Sequence, residues 1–191
     1  MSRGLGDVYK RQPSKINASN REEILTEFIQ CFEAVFPPLK NGTKGLTDPA
    51  RILIVDSLSI WVLRSTQLIL NKKFDTSEYR KLISEDLLSS ANSTIIFQYV
   101  IDFWSDGSTA FVNALRDMFT KLLRLIKLVH PAESCRDLLS FWLNLTLEIS
   151  STLRVQYYLI DSLSDEIDLF LVLRRRTDFI ETSLSLMWSD S

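Results

Sequence analysis

Residues that carry metal or thiol chemistry are scarce in this sequence. The 191 residues include one histidine, His130, and two cysteines, Cys31 and Cys135. The cysteines are far apart and form no Cys-x-x-Cys pair, so they indicate a reduced, cytoplasmic chain rather than a disulfide framework or a zinc site. We expect both thiols to be ordinary core residues. No metal and no other cofactor is predicted.

Glycine is scarce as well, with five residues in the whole chain. None of them lies in a glycine-rich loop after a strand, which a kinase or a methyltransferase fold would need for its phosphate or cofactor. His130 lies just before Pro131 and has no cysteine or serine nucleophile near it in a known local pattern. The sequence therefore predicts a protein that is not an enzyme and has no small-molecule substrate.

A strong charge of either sign is also missing. The formal net charge is −2, so the chain as a whole has no pull toward nucleic acid or an anionic membrane. The longest apolar stretch, from Ile52 to Leu70, contains Asp56 and Arg64, which interrupt the roughly 20 apolar residues that cross a bilayer. We therefore expect no membrane partner. With 46% hydrophobic and 24% charged residues, the chain suits one globular domain.

The first twelve residues, MSRGLGDVYKRQ, do not look native. They resemble the translation of a sequencing-library adapter, and they lack the apolar centre of a signal peptide. We expect native sequence to begin near Pro13, and residues 13–191 to form a single α-helical repeat segment.

Apolar residues recur at the i, i+3, i+4, i+7 spacing of amphipathic helices, and alternating patterns are rare. The pattern predicts an all-α chain with nine helices, at residues 21–36, 48–71, 75–90, 94–104, 109–129, 132–149, 153–163, 165–175 and 178–188. The predicted N-terminal caps are Ser19 or Asn20, Asp48 with Pro49 after it, Asp75 in a capping box with Glu78, Ser93, and Ser108.

Proline and glycine mark the breaks between these helices. Pro37 and Pro38 are predicted to end the first helix, and residues 39–47 to form a loop. Gly107 is expected to supply a positive φ at a tight turn between two helices. Pro131 is expected to end the helix that Ser108 begins.

The segment IFQYVIDFWSDGSTAFVNALRDMFTKLLRLIKLVHP, residues 96–131, reads as two amphipathic helices joined by that turn. Its Trp104-Ser105-Asp106 recurs as Trp188-Ser189-Asp190, 84 residues later, which equals two repeats of about 42 residues. HEAT and armadillo arrays have repeats of roughly 40 to 47 residues. We therefore expect a HEAT/armadillo-like α-solenoid fragment. Because the second copy stops at Ser191, we also expect it to be truncated at its C-terminus.

The same segment, followed by SFWLNLTLEISSTLRVQYYLIDSLSDEIDLFLVLRRRTDFIETSLSLMWSD, resembles the helical-repeat portion of the thyroid-adenoma-associated protein (THADA) family. The likeness covers residues 95–191. It consists of a Trp-acidic turn, a basic helix, a helix with Tyr157 and Tyr158, an apolar helix, and a turn that returns to Trp. The family's Arg-Arg-Ser-Ala-Gly run is absent, and Arg174-Arg175-Arg176-Thr177-Asp178 does not match it, so no functional residue is carried over by position.

The resemblance implies a long α-solenoid without a catalytic site. In fungal members of the family, this solenoid is the auxiliary subunit of a tRNA methyltransferase. The enzyme methylates a ribose 2′-oxygen at the anticodon loop. The resemblance therefore implies a methyltransferase catalytic subunit as partner, with tRNA as a further candidate. A generic HEAT or armadillo adaptor for protein–protein interactions in transport or signalling is the alternative function.

Two sets of basic residues are the candidate tRNA- or partner-binding sites. Lys121, Arg124 and Lys127 span about 120° of one helix, opposite its apolar stripe, and form a basic ridge that can hold phosphates. Arg174, Arg175 and Arg176 end a later predicted helix and extend this candidate surface. Alternatively, both sets have no binding role. They then lie on a solvated helix face, where their positive charges interact favourably with the helix dipole.

Aromatic residues recur at helical spacing and are expected to lie mainly in the core. They are Phe97, Tyr99, Phe103, Trp104, Phe111, Phe119, Phe141, Trp142, Tyr157 and Phe170.

Overall fold

The computed structural model of the protein describes residues 21–43, 45–71, 76–104 and 107–148, and this part of the chain is helical without any strand. The all-α prediction is confirmed for these ranges. The predicted helices at 153–163, 165–175 and 178–188 lie outside the described residues, as do Trp188 and Tyr157. The helices are α1 (Arg21–Asn41), α2 (Asp48–Leu70), α3 (Ser77–Leu82) with a π-helical turn after it (Ile83–Leu87), α4 (Ser90–Phe103), α5 (Thr109–Val129) and α6 (Ala132–Glu148).

Helix α1 continues past the two prolines, so the prediction that Pro37 and Pro38 end it is wrong. Proline weakens a helix because it lacks the N–H of one hydrogen bond and its ring crowds the preceding turn. Here Val35 and Leu39 on either side of the prolines are both buried, 6% and 3% exposed. Burial of this apolar row holds the last turn, and the chain leaves the helix at Gly42, whose φ is 77°.

Helix α2 begins one residue before its proline, as the Asp-Pro pair indicated, but its N-cap is Thr47. The predicted cap, Asp48, has another role: its Oδ2 accepts a hydrogen bond from the backbone N–H of Ser108, at 2.8 Å. Hydrogen bonding to the Ser108 side chain, and then this backbone hydrogen bond, lowers the pKa of the Asp48 carboxyl. The carboxylate therefore joins the start of α2 to the start of α5.

The α3–α4 corner differs from the prediction at both ends. After α3 the backbone makes a π-helical turn, in which Leu88 N donates to Ile83 O. Ser89, rather than Ser93, is the N-cap of α4, and its hydroxyl accepts from Asn92 N. Ser93 lies buried inside the first turn and donates to Leu88 O at 2.9 Å. The predicted cap at Asp75 lies outside the described residues.

The turn before α5 confirms the Ser108 cap, since the Ser108 hydroxyl accepts from Phe111 N at 3.3 Å. The reason predicted for Gly107 is wrong, because its φ is not positive. A Cβ at this position would collide with the ring carbon Cδ1 of Phe111. Glycine is required here for space, because Phe111 is fully buried directly against the turn.

Aromatic side chains join α4, α5 and α6 in one core. The rings of Phe97 and Trp142 stack with centroids 4.6 Å apart, and Phe119 lies 5.6 Å from Phe97. The Trp142 indole N–H donates to Thr94 Oγ1 at 3.1 Å. The prediction of core aromatics is confirmed for the described residues except Phe141, which is 50% exposed on α6.

Two pairs of buried hydroxyls tie helices together inside this core. Tyr79 Oη and Ser65 Oγ are 3.1 Å apart between α3 and α2, and Tyr99 Oη and Thr43 Oγ1 are 2.9 Å apart. Burial raises the pKa of both tyrosines, so the phenols stay neutral. Of the two thiols, Cys135 is buried as expected, whereas Cys31 is only partly buried.

Helices α2 and α5 form the most extensive contact of the described residues, and they run in the same direction. Asp48 meets Ser108 at the two helix starts, and about three turns further on Ser59 meets both Asp117 and Lys121. The sequence separation of these pairs stays close to 60 residues, which a parallel pair requires. Helix α1 also packs on α4, three helices later in the chain.

Helix α2 is also long and apolar enough, by length and composition alone, to cross a membrane, the one such helix in the described ranges. Asp56 and Arg64 therefore do not by themselves exclude a span, and the expectation of no membrane partner stays a prediction. The core helix of a soluble protein has the same composition, and 44% of the most apolar window of α2 is buried against the rest of the protein. The composition of α2 therefore does not distinguish a membrane span from a core helix.

Candidate functional site

The basic ridge lies on α5, the most strongly two-sided helix of the described chain. One face of α5 is buried against its neighbours, and the opposite face carries the charged residues. The buried residues are Phe111, Leu115, Met118, Phe119, Leu122, Leu123, Leu125, Ile126 and Val129. Because these side chains fix the rotation of the helix, the direction in which the ridge points is also fixed.

Lys121 is the most constrained member of the ridge. Its ammonium forms an ion pair with Asp117 one turn earlier and donates to Ser59 Oγ on α2 at 3.0 Å. Ser59 Oγ in turn donates to the same Asp117 oxygen at 3.1 Å. This three-residue network joins α5 to α2, so Lys121 serves first as a link between helices and its charge is partly compensated.

Arg124 and Lys127 follow at one-turn intervals and are both exposed. Lys127 lies in the last turn of α5, where the partial negative charge of the helix C-terminus stabilises a cation. The structure thus brings together the three predicted α5 residues on one face, with Arg124 and Lys127 exposed. Arg174, Arg175 and Arg176 lie outside the described residues.

His130, at the end of α5, has a structural contact. Its Nε2 is 2.9 Å from Leu88 O, the same carbonyl that accepts from Ser93. Burial lowers the pKa of His130, so the ring is neutral near pH 7 and donates from Nε2. In the described ranges, no group of three or more His, Cys, Asp or Glu side chains is placed to hold a metal ion.

A second surface was missed by the sequence analysis. Four large apolar side chains of α2 are exposed: Leu53, Ile60, Leu63 and Leu70. Their spacing in the sequence was the available signal, but α2 is apolar around most of its circumference, so periodicity does not separate its buried face from its exposed face.

No protein-family model matches the chain, and no solved structure matches it. The resemblance to the THADA family therefore remains a prediction.

Proposed function

We propose that this chain is a non-catalytic scaffold segment of a THADA-like α-solenoid, which supports 2′-O-ribose methylation of the tRNA anticodon loop by binding a separate methyltransferase subunit. A solenoid stacks similar helical units, so corresponding helices run parallel at a constant sequence offset. The contacts of α1 with α4, and the parallel contact of α2 with α5, support such stacking. The α2–α5 offset of about 60 residues is longer than the 42 residues expected from the Trp-Ser-Asp recurrence.

The basic ridge is the part of the proposed scaffold that would contact RNA. Arg124 and Lys127 are exposed on a helix whose opposite face is buried, and this is the observation that carries the RNA-binding part of the proposal. Each phosphate that these cations neutralise releases condensed counterions, which makes binding weaker as salt rises. Hydrogen bonds of Lys121 and Asp117 to Ser59 fix the position of the ridge relative to α2.

The scaffold proposal is tested in cells. Deleting the gene that encodes the chain should abolish 2′-O-methylation of the anticodon loop, measured by mapping ribose methylation along the tRNA. Tagged protein should co-purify with a methyltransferase catalytic subunit. Unchanged methylation would overturn the proposal, and a transport or signalling partner in its place would favour the adaptor.

The ridge is tested with purified chain and tRNA. Two phosphate contacts contribute about 1.4–1.8 to the slope of log K against log salt, at about 0.7 per contact with a single strand and about 0.9 with B-form duplex. The double variant Arg124→Ala/Lys127→Ala should lose that contribution in a fluorescence-anisotropy titration at several salt concentrations. Lys81→Ala is the matched control, because Lys81 is an exposed cation on α3 and pairs only loosely with Glu85 at 3.8 Å. Equal slopes for the double variant and the wild type would contradict the assignment.

A further inference from the structure

The exposed side of α2 has the pattern of a coiled-coil seam. Six positions of this helix are exposed between its first and last turns, at alternating intervals of three and four residues. We call this set the α2 stripe; it consists of Leu53, Asp56, Ile60, Leu63, Gln67 and Leu70. Leu53 is 68% exposed and Leu70 is 60% exposed, while Ile60 and Leu63 at the centre are 38% and 41% exposed.

An alternation of three and four residues is the spacing by which a helix presents one continuous seam to a partner helix. The opposite side of α2 is already occupied, because Val55, Leu58 and Val62 are fully buried in the core. Helix α2 therefore has two apolar sides, and the fold of the described residues covers one of them. Contiguous exposed apolar surface of this kind marks an interaction site.

We propose that the α2 stripe pairs with the α2 stripe of a second copy of this chain, with the two helices antiparallel. The order of side chains along the stripe is the same in type from either end: leucine, polar, aliphatic, aliphatic, polar, leucine. A two-fold axis between Ile60 and Leu63 therefore places Leu53 opposite the other copy's Leu70 and Ile60 opposite its Leu63. This is an isologous contact, the commonest kind in homodimers.

The two polar positions select the antiparallel direction. In an antiparallel pair, Asp56 lies opposite the other copy's Gln67, whose side-chain amide can donate to the carboxylate. In a parallel pair, Asp56 would lie opposite a second Asp56, and the two like charges would repel each other. A polar residue within an apolar seam is a known determinant of register and direction.

The size of the stripe predicts a reversible dimer. From Leu53 to Leu70 the stripe is about 27 Å long, and with a width of about 10 Å it covers roughly 270 Å² per copy. Stable interfaces bury about 800 Å² per partner, so this contact belongs with weak, transient ones. We therefore expect association only at high protein concentration. The inference is independent of the proposed RNA scaffold function.

Sedimentation velocity of the full chain across a concentration series tests the proposal. The wild type should move from monomer, 22.0 kDa, toward dimer as its concentration rises to about 1 mM. The variant Ile60→Glu/Leu63→Glu places carboxylates on both sides of the two-fold axis and should reduce association at least tenfold. Phe141→Glu, a half-exposed apolar residue on α6, is the matched control and should dimerise like the wild type. All substituted side chains are exposed, so far-UV circular dichroism should remain unchanged.

A charge exchange tests the direction of the helices. Gln67→Asp alone should weaken the dimer, because two pairs of carboxylates then face each other. Adding Asp56→Lys should restore association, since each lysine faces an aspartate in the antiparallel pair but another lysine in a parallel pair. A monomeric wild type at every concentration would overturn the proposal, including the case in which the chain binds lipid vesicles as a monomer. So would a dimer that Ile60→Glu/Leu63→Glu leaves unchanged.

Discussion

The buried pair of Ser65 and Tyr79 allows an asymmetric prediction about stability. Ser65 is fully buried on α2 and Tyr79 is 1% exposed on α3, and their hydroxyl oxygens are 3.1 Å apart. Burial raises the pKa of Tyr79, so the phenol remains a neutral hydroxyl at any working pH. Removing either hydroxyl leaves the other one in the core. The two remaining hydroxyls differ in whether they can reach another hydrogen-bond acceptor.

Ser65→Ala should be the more costly change. It strands the phenol hydroxyl of Tyr79, and a buried hydroxyl without a partner costs about 1–3 kcal/mol. In Tyr79→Phe, the Ser65 hydroxyl can rotate to the carbonyl of Trp61, one turn earlier in the same helix. The cost of Tyr79→Phe should therefore be about 0.5–1 kcal/mol, mainly the net value of one hydrogen bond. The double variant should cost less than Ser65→Ala alone, because it leaves no stranded group.

Urea unfolding followed by far-UV circular dichroism measures these differences. With a slope of about 2 kcal/mol per molar urea, a loss of about 2 kcal/mol moves the midpoint by roughly 1 M. The three variants and the wild type form a double-mutant cycle with an expected coupling of at least about 0.5 kcal/mol. Additive costs, or a Tyr79→Phe variant less stable than Ser65→Ala, would refute the reasoning.

Two further predictions concern the helix junctions. His130 has a lowered pKa in the folded state, so the unfolded chain binds more protons below pH 6.5, and the stability present above that pH should fall on acidification. His130→Gln should reduce the loss of unfolding free energy between pH 7.5 and 5.5, and an equal loss in variant and wild type would count against the burial argument. Gly107→Ala should lower stability by about 1–3 kcal/mol, because its Cβ collides with the Phe111 ring. Phe111→Leu in that background should recover part of the loss in thermal unfolding, and a Gly107→Ala variant as stable as the wild type would contradict the steric explanation.

The sequence predicted a helix end correctly where that end depends only on residues close to it in the chain. The start of α5 is an example, since Ser108 caps a backbone N–H three residues away and needs no distant partner. The end of α1 could not be predicted in this way. Burial of Leu39 against the core outweighs the local preference against proline, and that burial depends on residues far away in the sequence.

The sequence predicted that the ridge residues share one helix face. It did not predict the hydrogen bond of Lys121 to Ser59 on another helix. The spacing of Lys121, Arg124 and Lys127 shows that they share one side of a helix. The link from Lys121 to Ser59 joins residues 62 positions apart, and only the packing of α2 on α5 reveals it. For the same reason, the exposed stripe of α2 becomes visible only when the other side of that helix is known to be covered.

The parallel pairing of α2 with α5 has a consequence for synthesis on the ribosome. Helix α2 leaves the exit tunnel about 60 residues before its main partner, which is an interval of about 3–12 s at ordinary elongation rates of about 5–20 residues per second. During that time a helix apolar enough to resemble a membrane span can pack on α1, which precedes it, but lacks the cover of α5. We therefore expect α2 to be the segment of the nascent chain most exposed to chaperones until α5 emerges and packs against it.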